Sequence, residues 1–318
     1  PADVRKEGTS LELAIAMALL AAQQPQAYPD LTQVLLLGEL TLHGELLPVR
    51  GALSMALAAR DAGVRALVLP KGNAREVECL ADLQIFPAES LQAVVAHLRG
   101  TQRIAPQEQV PYEHLLEDQN PEQDLRFVKG QKIARRALEV AAAGGHNLLM
   151  VGSPGSGKTM LARCLPGILP PLSYAEALET TCIHSAAGEL PRDAGLMTRR
   201  PFRSPHHNAS LPAIIGGGAK ARPGEVSLAH NGVLFLDELP QYQRQTLEAL
   251  RQPLEDGYVN VTRVSGQARY QSRCMLVAGM NPCPCGNYGS KTTPCRCKPY
   301  EIQRYLARIS GPLLDRID

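Results

Sequence analysis

The residues with the clearest chemical meaning form a glycine-rich run that ends in a lysine and a threonine. The run reads Gly-Ser-Pro-Gly-Ser-Gly-Lys-Thr and matches the phosphate-binding pattern G-x-x-x-x-G-K-[ST]. Glycines let backbone N–H groups close around phosphates, the lysine can reach the β and γ phosphates, and the threonine hydroxyl can bind Mg²⁺. We therefore predict that ATP contacts Gly152, Ser153, Pro154, Gly155, Ser156, Gly157, Lys158 and Thr159.

An apolar run that ends in two carboxylates supplies the second part of a nucleotide site. Gly-Val-Leu-Phe-Leu at 232–236 is followed by Asp237 and Glu238. A buried strand of this kind places both side chains at its carboxyl end, where ligands collect in parallel α/β sheets. We predict that Asp237 and Thr159 hold Mg²⁺ and that Glu238 polarises the attacking water. The two motifs together predict an enzyme that binds and hydrolyses ATP.

Two further polar residues are candidates for the γ-phosphate. Asn281 follows the apolar strand at 275–280, where an amide can hold the attacking water or the phosphate. The alternative for Asn281 is a turn-forming role before Pro282. Arg316 is a candidate to act on the ATP of a neighbouring subunit, because phosphoryl transfer gains greatly from an arginine supplied in trans; the alternative is an ordinary surface cation. The role in trans requires a ring of subunits.

Four of the eight cysteines form two C-x-C pairs close together in the sequence. Four soft ligands in a reducing compartment suit a closed tetrahedral Zn²⁺ site that would clamp the loop after Asn281. The alternatives are free thiols or a redox pair, because C-x-C is tighter than the common C-x₂-C spacing. The predicted zinc ligands are Cys283, Cys285, Cys295 and Cys297.

The pattern of residues 256–273 predicts a hairpin that carries Arg263, Arg269 and Arg273, with no acid after Asp256. Such an arm, repeated around a ring, could line a channel and contact nucleic-acid phosphates. The alternative is an ordinary solvated hairpin.

A long insertion at 185–230 contains the adjacent His206 and His207, which we interpret as part of a structural loop, since no spaced metal partner is evident.

Composition and length limit the remaining possibilities. The 318 residues are 44% hydrophobic with a formal charge of +2, so any nucleic-acid surface must be local. No apolar stretch is long enough to span a bilayer, and the cysteine distribution suits the cytoplasm. The chain starts with Pro1, and we expect a fragment cut at both ends. We predict an α/β unit at 1–99, a polar linker at 100–124 and a second α/β domain at 125–318.

The second domain resembles the magnesium-chelatase-like AAA+ ATPases of the YifB/ComM family. The resemblance rests on Gly130-Gln131, residues 141–147, 200–207, 222–238 and 281–286, and Leu313–Asp318. It implies a P-loop AAA+ fold with a parallel sheet, in which Asn281 is sensor 1, Arg316 the arginine finger and Tyr258–Arg273 the presensor hairpin. It also implies hexameric rings and, for ComM-like members, DNA helicases that promote branch migration in bacteria. The helical lid of the family would follow Asp318.

The first domain resembles the proteolytic domain of Lon, an α+β fold like that of ribosomal protein S5. Arg5–Ser10 aligns with the Lon serine motif, which places Ser10 at the nucleophile position. Leu53 stands where the resemblance places the catalytic lysine, and a serine without a base is a poor nucleophile. Thr9-x-x-Glu12 predicts a capping box for the next helix. We therefore predict a domain that has lost protease activity.

Three functions follow from these patterns: a DNA-translocating ATPase, a chelatase-type ATPase that drives metal insertion through a partner, and an ATP-dependent protease. The arginine hairpin favours the first. The Lon-like domain and the cysteine pairs are not expected in a dedicated chelatase subunit, and Leu53 argues against the protease.

Overall fold

The structure is a computed structural model that describes residues 9–116, 123–191, 194–218, 221–263, 266–290 and 293–318, without the side chains of 262–267. The chain forms two compact units. The first comprises Pro1–Glu117 together with Ala177–Met197, and the second comprises Asp118–Glu176 together with Thr198–Asp318. Neither unit is therefore one continuous stretch of the sequence.

The first unit is built around a parallel sheet. The elements of this unit are α1 (Glu12–Gln23), β1 (Val34–Leu36), β2 (Glu39–Leu40), β3 (Leu46–Leu47), α2 (Ala52–Asp61), β4 (Ala66–Pro70), α3 (Ala74–Val77), β5 (Gln84–Ala88), α4 (Leu91–Leu98) and α5 (Tyr112–Leu115). In the parallel sheet β4 lies between β1 and β5, while β2 and β3 form a short antiparallel pair that comes between β1 and α2 in the sequence.

Helices α1 and α4 cover the sheet of the first unit with apolar side chains. Leu13 and Met17 of α1 are fully buried and pack with Val68 of β4 and Val94 of α4. Apolar residues four apart lie on the same side of a helix, which explains why one side of α1 is buried while Leu19 stays exposed.

The segment after α4 packs on the first unit. The Gln107 N–H donates to the carbonyl of Ile85 at 2.7 Å, and the Gln109 amide donates to the carbonyl of Leu83 at 3.0 Å. This stretch had been predicted as part of a linker at 100–124. The observed division therefore differs from the predicted one here and at Ala177–Met197.

The second unit contains a four-stranded sheet with helices between its strands. Its elements are α6 (Lys132–Gly144), β6 (Leu148–Val151), α7 (Lys158–Arg163), α8 (Tyr174–Ala187, of which 177–187 belong to the first unit), β7 (Phe202–Arg203), α9 (Leu211–Ile215), β8 (Gly216–Gly217), β9 (Arg222–Pro223), α10 (Glu225–Leu228), β10 (Val233–Leu236), α11 (Arg244–Ala249), α12 (Arg251–Asp256), β11 (Tyr258–Arg263), β12 (Gly266–Gln271), β13 (Met275–Met280), α13 (Pro299–Leu306) and α14 (Gly311–Leu314).

All four strands of this sheet run parallel, in the order β6-β13-β10-β7. Val151 pairs with Met280, and Leu236 pairs with Ala278. The carboxyl ends of β6, β10 and β13 therefore lie side by side. This register brings the residues that follow each strand to one edge of the sheet, and the predicted parallel α/β fold is confirmed.

Apolar side chains bury both faces of the central strand β10. Val233 and Phe235 pack with Leu138 and Leu161 on one side, while Leu234 and Leu236 pack on the other. A continuous apolar strand of this kind is typical of a parallel sheet covered by helices on both faces. The sheet is therefore a rigid support for the residues at its edge.

None of the helices in the described part of the chain is both long and apolar enough to cross a lipid bilayer.

Candidate active site

The glycine-rich run joins the end of β6 to the start of α7. Gly155 and Gly157 have φ angles of 74° and 86°, in the left-handed region that favours glycine. A Cβ atom on Gly152 would lie 2.8 Å from the Ser156 hydroxyl, so a side chain at this position would displace that hydroxyl. The loop is therefore a tight turn that can bring backbone N–H groups close to a ligand, as the pattern predicts.

The Ser156 hydroxyl is buried and has no hydrogen-bond partner among the described residues. Buried polar groups are normally hydrogen-bonded. An unsatisfied hydroxyl inside a phosphate-type loop is consistent with a polar ligand that completes the site.

Lys158 lies at the centre of this edge of the sheet. Its ammonium group donates to the carbonyls of Gly152 at 2.7 Å and Ser153 at 3.1 Å, and to the Asn281 side-chain oxygen at 3.2 Å. Burial lowers the pKa of Lys158, and the carboxylates of Asp237 and Glu238 oppose that change. A phosphate at this position would favour the charged ammonium in the same way.

Thr159 and Asp237 form the second contact between motifs. The Thr159 hydroxyl donates to Asp237 Oδ2 at 2.8 Å, and the Glu238 N–H donates to Asp237 Oδ1 at 2.9 Å. A hydroxyl beside a carboxylate offers the hard oxygen ligands that Mg²⁺ prefers, so the residues present fit this ion.

Gly279, in β13, makes room for this pair. A Cβ atom at Gly279 would lie 2.9 Å from Asp237 Oδ1. Sequence reasoning did not identify this glycine, because only the pairing of β13 with β10 brings it beside the carboxylate.

Glu238 projects from the end of β10 toward solvent. Its side chain is 56% exposed, and its φ angle of 52° lies in the left-handed region, which is uncommon for a residue with a side chain. The exposed carboxylate is free to approach a water molecule, which suits the predicted role in polarising it.

His207 lies beside Glu238, with its Nδ1 atom 3.7 Å from Glu238 Oε2. The neighbouring loop is held by Tyr242, whose hydroxyl donates to the Pro205 carbonyl at 2.6 Å. Burial raises the pKa of Tyr242, so the hydroxyl stays a donor. The sequence alone suggested only a structural loop here. The missing signal was the pairing of β7 with β10, which brings the segment after Arg203 to the same edge.

A largely apolar pocket opens beside Thr159. It has a volume of about 470 Å³. Its walls include Phe127, Val128, Met160 and Cys164. None of these residues was predicted to belong to the site, because the two segments that form the pocket are separated in the sequence.

Comparison with family models assigns both parts of the chain. A family described as magnesium chelatase, subunit ChlI, matches residues 124–318, and one described as subunit ChlI of Mg-chelatase matches residues 1–73. The chain belongs to the magnesium-chelatase-like family of AAA+ ATPases. The predicted P-loop AAA+ fold of the second domain agrees with this membership.

Relatives within this AAA+ family match the whole chain. It is 47% identical over 318 residues to YifB of Salmonella typhimurium, covering 100% of this chain and 61% of that protein. It is 44% identical over 320 residues to competence protein ComM of Haemophilus influenzae, covering 100% of this chain and 62% of that protein. The predicted YifB/ComM membership is confirmed, and the chain spans about three fifths of the length of these relatives.

The Lon-like resemblance also has a direct counterpart. The chain is 35% identical over 95 residues to Lon protease of Vibrio parahaemolyticus, covering 28% of this chain and 12% of that protein.

Among solved structures, a chain from a complex between subunits BchI and BchD of magnesium chelatase aligns with a TM-score of 0.40 and 22% identity, covering 58% of this chain and 59% of that one. That structural likeness is too low to add to the family assignment.

Arg316 lies away from the P-loop of its own chain. Its carbonyl accepts from the Asn147 side chain at 2.7 Å, and Asn147 directly precedes β6. The P-loop follows the other end of this strand, roughly 13 Å away at the usual rise per residue. The guanidinium of Arg316 pairs with Glu255 at 2.6 Å. The structure therefore does not bring Arg316 together with Lys158.

The predicted hairpin forms from β11 and β12, which pair from Tyr258 with Gln271 onward. The Arg269 guanidinium lies over the Tyr258 ring, 3.6 Å from its centroid. Arg273 lies beyond β12, where its N–H donates to His230 Nδ1 at 3.1 Å. The side chain of Arg263 is outside the described residues. Arg269 therefore lies within the paired strands, and Arg273 lies at the base of the hairpin.

The residues of the Lon-like serine motif make contacts other than the predicted ones. The Thr9 hydroxyl donates to Glu39 at 2.7 Å, and the Glu12 carboxylate accepts the Leu40 N–H at 2.8 Å. The predicted capping box is therefore wrong, because both side chains bond to β2 instead. Leu53 is fully buried in the first unit, where it has no group that could activate Ser10.

The four predicted zinc ligands come together in one cluster. Their sulfur atoms all lie within 4.8 Å of one another. The cluster follows directly after Asn281, at the edge of the sheet that carries the nucleotide motifs.

Proposed function

We propose that this chain is the ATP-hydrolysing part of a hexameric motor that moves on DNA. One observation carries the ATPase part: two hydrogen-bonded pairs, Lys158 with Asn281 and Thr159 with Asp237, lie at the carboxyl ends of three adjacent parallel strands. Ligands bind at this edge in open α/β sheets.

Each side chain has a separate task in the proposed reaction. Lys158 contacts the β and γ phosphates, and Asn281 orients the γ-phosphate or the water through its amide. Thr159 and Asp237 would hold Mg²⁺, which would neutralise the charge that develops on the phosphates. Glu238 orients the attacking water, because its exposed carboxylate can accept a hydrogen bond from it.

The adenine ring fits the apolar pocket beside Thr159. Small-molecule sites bury most of their ligand against apolar walls, and this pocket offers Phe127 and Met160 next to the phosphate loop. The pocket adjoins the P-loop because both involve helix α7. This helix contains Thr159 and Met160, and Cys164 directly follows it.

The position of Arg316 supports the proposed ring of subunits. An arginine finger can act on its own nucleotide or on a neighbour's. Because Arg316 is bound to the far end of β6, a contact with its own γ-phosphate would need the C-terminal segment to leave Asn147 and Glu255. A neighbouring subunit can receive it without that rearrangement.

Two features support DNA as the molecule on which the proposed motor moves. The hairpin carries arginines that could contact phosphates, and the chain resembles a protein named for competence. We place the protein in the cytoplasm, because a cluster of thiols is maintained in a reducing compartment.

The test is the ATPase rate of the full-length protein with and without single-stranded, duplex and branched DNA. We expect DNA to stimulate hydrolysis, and Arg269→Glu, alone or with Arg263→Glu, to remove the stimulation while keeping the basal rate. The matched control is Arg60→Glu, a partly exposed arginine of the first unit. Equal stimulation in wild type and Arg269→Glu would contradict the proposed DNA contact.

A chelatase-type motor is the second candidate, and the family description favours it. It would drive metal insertion into a tetrapyrrole through a partner subunit. DNA stimulation that depends on Arg269 separates the two, since a chelatase motor should respond to its partner subunit and not to DNA.

A further inference from the structure

The cluster of four cysteines has the dimensions of a metal site. The Cys283 sulfur lies 3.4 Å from that of Cys285 and 3.7 Å from that of Cys295, and the Cys285 and Cys295 sulfurs are 3.6 Å apart. A tetrahedron with Zn–S bonds of about 2.3 Å has edges of roughly 3.8 Å. These three sulfur atoms are therefore already close to the positions that one tetrahedral ion requires, and the Cys297 sulfur lies within 4.8 Å of each of them.

The local chain prepares this arrangement. Cys283 is fully buried, and its sulfur accepts the Tyr288 N–H at 3.3 Å. Gly286 has a φ angle of 81°, which lets the backbone turn back after Cys285. Backbone N–H groups that bond to ligand sulfurs are the usual outer support of metal–thiolate sites.

We propose that Cys283, Cys285, Cys295 and Cys297 bind one Zn²⁺, which fixes the loop after Asn281 against the P-loop. Four protein ligands leave no open coordination position, so the ion has a structural role. Thiolates also select zinc over the Mg²⁺ of the nucleotide site, since Mg²⁺ prefers oxygen ligands.

The contact with the P-loop gives the zinc site a consequence for ATP hydrolysis. A Cβ atom on Gly286 would lie 2.5 Å from Pro154 Cδ, so the backbone of the cysteine loop rests directly on the P-loop. The same loop begins two residues after Asn281, whose side chain contacts Lys158 at 3.2 Å. Loss of the metal would loosen the loop at both contacts.

The primary test is the metal content of the full-length protein purified without chelators, measured by elemental analysis. We expect about one Zn²⁺ per chain in wild type, and a fraction below about 0.1 in Cys295→Ser/Cys297→Ser. Cys79→Ser, which changes a half-buried cysteine of the first unit, is the matched control and should retain the ion. Wild type with less than about 0.1 equivalent, or disulfides among the four cysteines, would overturn the proposal.

A second measurement avoids the risk that the serine variant fails to fold. Co²⁺ added to metal-free wild type should produce the visible absorption of a tetrahedral thiolate site, and Zn²⁺ should displace it. Absorption without a tetrahedral signature would contradict the four-thiolate geometry.

The coupling to hydrolysis rests on the proposed ATPase function, so it is tested separately. Gly286→Ala keeps all four ligands but forces the loop away from Pro154. We expect it to retain zinc and to lower the ATPase rate roughly 10- to 100-fold, because misplacement near 1 Å has effects of this size. Lys158→Ala should also retain zinc, because the cysteines do not depend on the nucleotide. A wild-type protein that binds zinc but does not hydrolyse ATP would refute the proposed ATPase and leave the zinc site intact. Gly286→Ala with a wild-type ATPase rate would refute the coupling.

Discussion

Replacement of Gly279 by alanine tests whether β13 must leave space for the Asp237 carboxylate of the proposed magnesium site. The added Cβ would lie 2.9 Å from Asp237 Oδ1, while its next neighbours, carbon atoms of the Phe235 ring, lie 3.5 and 3.6 Å away. The aromatic contacts are ordinary, so only the carboxylate must move. A normal carbon–oxygen contact is roughly 3.4 Å, which requires a displacement of about 0.5 Å.

This displacement acts on the pair that would hold Mg²⁺. Asp237 bonds to Thr159 at 2.8 Å, and a shift of about half an ångström stretches that contact. Since a 1 Å misplacement can lower a rate about 100-fold, we expect Gly279→Ala to lower the ATPase rate about tenfold, or about 1.4 kcal/mol of activation free energy. Higher Mg²⁺ concentrations should recover part of the loss.

The assay is steady-state ATP hydrolysis over a series of Mg²⁺ concentrations, together with thermal unfolding. Gly279→Ala should stay folded and unfold at or slightly below the wild-type temperature, because the displacement of Asp237 opposes the gain from a less free unfolded chain. Gly311→Ala is the matched control, since a Cβ at that position meets no atom of the described chain within 4 Å. An unchanged rate and Mg²⁺ dependence in Gly279→Ala would refute the geometry assigned to Asp237.

Three other substitutions have distinct expected outcomes. Glu238→Gln should still bind ATP but hydrolyse it roughly 10²- to 10⁴-fold more slowly in a single-turnover assay, and normal turnover would remove its role in activating water. Arg316→Ala should lower hydrolysis roughly 10³- to 10⁵-fold, and mixing it with Glu238→Gln should restore part of the rate, because an intact pair then forms between neighbours; no recovery at any mixing ratio would argue against action in trans. Casein should not be degraded by the wild type, and degradation that Ser10→Ala abolishes would show that the Lon-like unit is an active protease.

The local motifs were predictable because each one is a strand followed by a characteristic polar residue. The P-loop, Asp237 and Asn281 follow apolar runs, and parallel strands place their carboxyl ends together. The family resemblance agreed with this reading and extended it to the first domain. The parallel sheet of the second unit and the polar residues at its strand ends could therefore be predicted from the sequence.

Features that depend on strand register or on distant contacts could not be predicted. β7 has two residues, too few for a period, yet its pairing with β10 brings His207 to Glu238. Gly279 lies within a buried strand and shows no local signal. The grouping of Ala177–Met197 with the first unit also depends on contacts far apart in the sequence.

The capping box failed for a related reason. A short sequence pattern predicts a local hydrogen bond, but Thr9 and Glu12 bond to Glu39 and Leu40 in a neighbouring strand. Tertiary contacts replaced the local ones. The four cysteines, by contrast, could be predicted to form one cluster, because two C-x-C pairs lie close together in the sequence.

The most direct measurement of the central claim is calorimetric binding of ATP to full-length Glu238→Gln in the presence of Mg²⁺, with the Lys158→Ala/Glu238→Gln variant beside it. The strand-end site predicts about one nucleotide per chain in the first protein and a loss of binding in the second. Absence of binding in a folded Glu238→Gln protein, or equal binding in both, would contradict the assignment of this edge of the sheet as the ATP site.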